Sequence, residues 1–211
     1  MNTRKLLFYL LAALLGGCVP VMSLHPLFTK EHIVFEEKLL GTWTDDPNSP
    51  EATWEFKRID EPEKAYKLIF SDDKDKKGLF VAHLVKLDDR LFLDAYPAEL
   101  PCEPEDSNKT DWSYNSLFLI PAHTFIKVES IEPQLKIRLT LESKMEELLK
   151  EDPDAVKHTS VGDRLVLTAS TKELQGFVLK YADDDRVFTG EIVLNRKKSK
   201  ERVPDNVGPQ Q

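Results

Sequence analysis

The groups in this chain able to do chemistry are five histidines, two cysteines and a surplus of carboxylates. His83, in Ala82-His83-Leu84, and His123, in Ala122-His123-Thr124, each interrupt an apolar, alternating run. By strict alternation His83 shares a face with Leu79, Val81, Val85 and Leu87, and His123 shares one with Leu119 and Phe125. Asp94 breaks the neighbouring run Leu91-Phe92-Leu93. If these three meet inside a closed sheet, they form a polar handle in an apolar cavity, the usual make-up of a small-molecule site. The more active alternatives are an acid–base pair or metal ligands. No two histidines stand at ligand spacing, however, and a half-buried strand histidine is ordinarily satisfied by a carbonyl or a carboxylate. The expectation is therefore no metal, no cofactor and no catalytic residue.

Cys102 lies in Leu100-Pro101-Cys102-Glu103-Pro104-Glu105. A reactive thiol needs a positive neighbourhood to lower its pKa, and this one is negative. There is no Gly-rich phosphate loop, nucleophile elbow, Cys-x-x-Cys or His-Glu-x-x-His motif. Asp72, Asp73 and Asp75 lack the spacing of a calcium loop and read as a solvated hairpin tip. The formal net charge of −8 repels phosphate backbones and excludes nucleic acid as a partner.

Short alternating segments must position these groups. Thr53–Ile59 puts Trp54 and Phe56 on one face, and Ala65–Ser71 puts Tyr66, Leu68 and Phe70 together. Leu79–Leu87 and Arg90–Tyr96 flank a two-residue turn, Asp88-Asp89. Ser116–Ser130, kinked at Pro121, and Gln134–Leu141 continue the pattern. Two helices follow: Lys144–Lys150, opened by a capping box of Ser143 with Glu146, and Thr171–Tyr181, opened by Ser170 with Glu173. A last strand runs from Arg186 to Asn195. The fold class is mainly β, an antiparallel meander or closed barrel with two short helices inserted before the last strand. Trp54, Phe56, Tyr66, His83, Asp94 and His123 are the candidate ligand-lining residues. The Pro- and acid-rich stretch Pro97–Trp112 is long enough for a lid or a contact loop.

At the N-terminus, Arg4 and Lys5 precede the uncharged run Leu6–Leu15, which is too short to span a bilayer as a helix. Leu15-Gly16-Gly17-Cys18 closes it. This string resembles the lipobox of bacterial lipoproteins. The resemblance implies cleavage before Cys18, a diacylglycerol thioether on that cysteine, and anchoring in the cell envelope. Val19, where an aspartate would favour inner-membrane retention, implies the outer membrane. Loss of Arg4 and Lys5 takes the net charge from −8 to −10, so acyl chains and not a basic patch would make the membrane contact. The expected organisation is a signal peptide at 1–17, a lipidated tether at 18–29, one β-rich domain at 30–196 and a disordered tail at 197–211.

Leu39-Leu40-Gly41-Thr42-Trp43 is similar to the opening motif of the lipocalins and the wider calycin barrels. That resemblance implies a helical turn leading into the first strand, with Gly41 as the tight turn and Trp43 as the plug of the closed end. It also implies an arginine stacked on the indole, for which Arg196 is the match. It departs from the family in placing both helices before the last strand. Two functions are carried forward. One is a membrane-anchored carrier of a small apolar or amphipathic ligand. The other is an interaction or assembly lipoprotein with a solid barrel and an envelope protein as partner. An envelope enzyme using His83, His123 or Asp94 is a third reading.

Overall fold

The computed structural model describes residues 19–47, 50, 52–60, 62–72, 76–98 and 119–197. The expected signal peptide at 1–17, Cys18, Cys102, most of Pro97–Trp112 and residues 198–211, expected as a tail, lie outside the described residues.

The strands are β1 (Met22–Ser23), β2 (Ile33–Val34), β3 (Gly41–Thr44), β4 (Ala52–Ile59), β5 (Ala65–Asp72), β6 (Lys77–Leu87), β7 (Arg90–Pro97), β8 (Thr124–Ser130), β9 (Leu135–Leu139), β10 (His158–Val161), β11 (Arg164–Leu167) and β12 (Thr189–Arg196). The helices are α1 (Glu142–Glu151) and α2 (Thr171–Lys180). The order β3-β4-β5-β6-β7-β8-β9-β12 returns from β12 to β3, every pair antiparallel, so the sheet closes as an eight-stranded barrel. Where β5 stops pairing at His83, β2 takes over the edge of β6 through Leu84 and Val85.

Closure leaves two unlike ends. At one lie the turns β4–β5, β6–β7 and β8–β9, the start of β3 and the end of β12. The other carries the β3–β4, β5–β6 and β7–β8 connections and the long excursion from β9 to β12. The first end is shut by residues 34–40, whose Val34, Phe35, Leu39 and Leu40 pack onto the interior cluster.

The chain between β9 and β12 forms a second layer. It holds α1, α2, β10 and β11, with β1 of the N-terminal segment completing a small sheet ordered β1-β11-β10, and its apolar residues join Val85, Leu87, Phe92 and Phe125 on the outer barrel wall in a second core. Arg90 grips Asp183 through two hydrogen bonds of 2.8 Å, and Lys127 and Arg138 reach Asp183 and Asp185. The Arg90 and Lys127 cations hold the Asp183 carboxyl well below the usual range.

Three expectations are corrected. Val19–Thr29 is not a tether. It runs as a strap across the outside of β9, β8, β7 and β6, with Val21, Ser23 and Leu27 buried. Its backbone is hydrogen-bonded at Thr140, His123 and Leu167. Paired backbone and apolar anchors outweigh the Pro20 and Pro26 that made it read as a linker. Second, α1 has no Ser143 capping box: it starts at Glu142 behind Leu141, which offers no side-chain cap, and the strap's Val19 carbonyl accepts the Glu142 N–H instead. The α2 box of Ser170 and Glu173 is present and reciprocal. Third, no strand covers Leu119–His123; β8 opens only at Thr124.

Candidate functional site

The residues singled out in the sequence fall into three places. Gly41, Trp43 and Arg196 meet at the closed end. The Arg196 guanidinium lies 4.2 Å from the Trp43 ring centre and donates to the carbonyls of Leu40 (2.6 Å) and Lys38 (2.5 Å). The Trp43 indole N–H donates to the Leu39 carbonyl at 2.9 Å. Gly41 has φ +115°, and a Cβ there would stand 2.8 Å from Arg196 Nη1. Only glycine fits both the backbone and the contact.

Trp54, Phe56 and Tyr66 face the barrel interior. Phe56 and Tyr66 meet edge-on at 6.1 Å, and the Tyr66 hydroxyl accepts the Glu36 N–H at 2.7 Å, tying the closed-end cap to the wall. Burial pushes the Tyr66 phenol up to about 12. Trp54 is only half-buried, near the open end, against Phe70. In its closed-end half the axis is filled. Tyr66, Leu84, Leu93, Leu135 and Ile137 each expose 0% of their surface. A void wide enough for water would leave accessible surface on its lining, so none touches these side chains.

His83, Asp94 and His123 do converge, but on the outer wall under the strap, not inside the barrel. The inward residues of β6 are Phe80, Ala82 and Leu84, so His83 points outward. Its face reads as apolar because the strap and the second layer cover it, and alternation alone cannot tell a barrel's inside from a covered outside. Asp94 is 0% exposed. Its two oxygens accept the Leu27 N–H and His123 Nδ1, both at 2.6 Å. That bond leaves His123 Nε2 as the free ring nitrogen. Phe28 covers His83 with ring centres 4.2 Å apart, and Tyr96 packs 5.1 Å from His123. His83 Nδ1 is buried without a hydrogen-bond partner among the described residues. Burial pulls the His83 imidazole down, against the pull of the Asp94 carboxylate and with the push of His123. Burial likewise raises the Tyr96 phenol.

Chemically, Asp94 and His123 form the oriented half of an acid–base device. The nearby Ser23 hydroxyl is turned away, donating to the His25 carbonyl at 2.8 Å. What the pair demonstrably holds is the strap. Leu27 and Phe28 are the members that sequence reasoning missed. Their only signal is an adjacent apolar pair between Pro26 and Thr29, which a local reading assigns to a linker. Among the described residues, no group of three or more His, Cys, Asp or Glu side chains is placed to hold a metal ion.

Fold and site together define a closed eight-stranded antiparallel barrel with a second layer strapped to its outer wall. No protein-family model, curated protein or solved structure matches the chain.

Proposed function

We propose that this protein is a lipid-anchored lipoprotein of the bacterial envelope whose barrel is a solid scaffold and whose work is done at its surface, as an interaction or assembly protein. The observation that carries this reading is the filled closed-end half of the barrel axis. Side chains from β5, β6, β7 and β9 meet with no exposed surface, and Trp43 with Arg196 plugs the end behind them. A carrier needs a cavity there, and the interior of an eight-stranded barrel is narrow enough for side chains alone to fill. The lipobox-like string ending at Cys18 supports the envelope anchor, with the outer membrane favoured by Val19. The plug geometry and strand order support the calycin-like resemblance as one of architecture.

A second reading is kept for one observation. Trp54, Phe70 and Phe80 remain half-buried around the open end, so a small apolar or amphipathic ligand would have to bind in the mouth and not along the axis. Native mass spectrometry decides between the two. The Cys18→Ser protein, lacking residues 1–17 and purified gently from its own host, is weighed before and after denaturation. A bare mass, with no uptake of a fluorescent fatty acid, supports the solid scaffold. A discrete extra mass lost on denaturing overturns it in favour of the carrier.

A further inference from the structure

The strap fixes which end of the barrel the lipid anchor leaves from. Val19 bonds to the first residue of α1, Pro20 bridges Leu141, and Val21 donates to Thr140, all just past the end of β9. Ser23 then pairs with His123, just ahead of β8. These points belong to the open end. From there the strap descends over Asp94 and His83 to β2, beside Leu84 and Val85. Cys18 is one peptide from Val19, about 3.8 Å between Cα atoms. Slack between an acylated Cys18 and the folded domain is therefore essentially absent.

Among the described residues, the exposed apolar side chains gather at the same end. The exposed large apolar residues among those described are Leu24, Leu119, Ile120 and Val161, at 42%, 51%, 73% and 63%. Leu119 and Ile120 precede β8 at the open end, and Leu24 follows the Ser23–His123 bridge. β1 and β11 are parallel, with Met22 beside Val166, so the β10–β11 turn that carries Val161 lies level with Val19 and Pro20. Half-buried Trp54, Phe70 and Phe80 lie toward the same end of β4, β5 and β6. The far-end turns instead present Asp60, Glu63, Lys64, Asp88, Asp89 and Glu132.

We infer that the open end of the barrel is seated on the bilayer, with Ile120, Leu119 and Val161 in the headgroup region beside the anchor, and that the charged closed end is presented away from the membrane. The inference rests on the lipoprotein reading of Cys18. The occupant is a lipid surface because the N-terminal segment is held at this end and continues directly from Val19 into Cys18, the residue that the lipoprotein reading acylates. Described rim charges are of both signs, Asp45, Asp46 and Asp72 with Lys76 and Lys77, so apolar contact and not charge attraction makes the seat. Aromatic residues at headgroup level suit such a surface.

The test uses full-length protein processed by its own host, carrying Cys102→Ser and a single new labelled cysteine, in phosphatidylcholine vesicles doped with spin-labelled lipid. Labels at Ile120→Cys and Val161→Cys should be quenched. Labels at Glu63→Cys and Asp89→Cys, about 25 Å higher along a tilted strand of 11 residues, should not. All four positions are exposed, so folding is spared. Intact mass of each variant reports acylation. An acylated protein whose four labels quench alike, or whose far-end labels quench more, overturns the seating alone. An N-terminus without the thioether lipid overturns the lipoprotein reading and the seating with it.

Discussion

Replacing Asp94 with alanine should release the strap. The Asp94 side chain exposes no surface and takes two donors at 2.6 Å, the Leu27 N–H and His123 Nδ1. Leu27 is itself fully buried, so water cannot replace the lost acceptor unless the strap lifts. Each stranded buried donor costs about 1–3 kcal/mol, offset in part because a buried carboxylate no longer needs desolvating. The net expectation is a loss of about 3 kcal/mol, or roughly 6–12 °C in thermal midpoint for a chain of this size. Amide hydrogen exchange supplies the specific signature. Leu27 and Phe28 should lose protection selectively, while barrel amides such as that of Leu68 in β5 keep theirs. A double-mutant cycle with His123→Ala should show coupling of about 1–2 kcal/mol. A midpoint within about 2 °C of the parent, or a Leu27 amide as slow as before, would refute the assignment of Asp94 as the staple.

At the closed end, Arg196→Ala removes the stack on Trp43 and both carbonyl contacts, and should cost about 1–2 kcal/mol in urea denaturation. Arg196→Lys should recover little of it, since one ammonium cannot stack and reach both carbonyls together. Gly41→Ala should cost at least as much, because alanine meets both the positive φ and Arg196; an unchanged denaturation midpoint would show that the plug tolerates displacement. His83 predicts a pH dependence. Burial holds its pKa below the ordinary 6.5, so the unfolded chain takes up a proton that the folded protein refuses. Stability is full above pH 6.5 and falls as pH drops below it, levelling out under the folded-state value. His83→Gln should flatten that slope in thermal scans carried down to roughly pH 5, and an identical slope in the variant would exclude His83 as its source.

The sequence by itself determined what depends on neighbours along the chain. Strict alternation through Trp54-Glu55-Phe56 and Tyr66-Lys67-Leu68, with the short Asp88-Asp89 turn, was enough to specify antiparallel hairpins, because side-chain direction in a strand has a period of two residues. Ser170 and Glu173 marked the start of α2 for the same local reason. The string from Leu39 to Trp43, with Arg196 as partner, named a contact that the structure places at 4.2 Å. Only the tertiary structure decided which side of the wall was the inside. His83, Asp94 and His123 lie on a face that is apolar because a second layer covers it, and a covered outer face carries the same alternation as a core. It also decided that Val19–Thr29 is a strap. Its hold comes from a carboxylate, a hydroxyl and a side-chain amide 67 to 148 residues away, at Asp94, Thr171 and Gln175, and such long-range partners leave no mark in the local pattern.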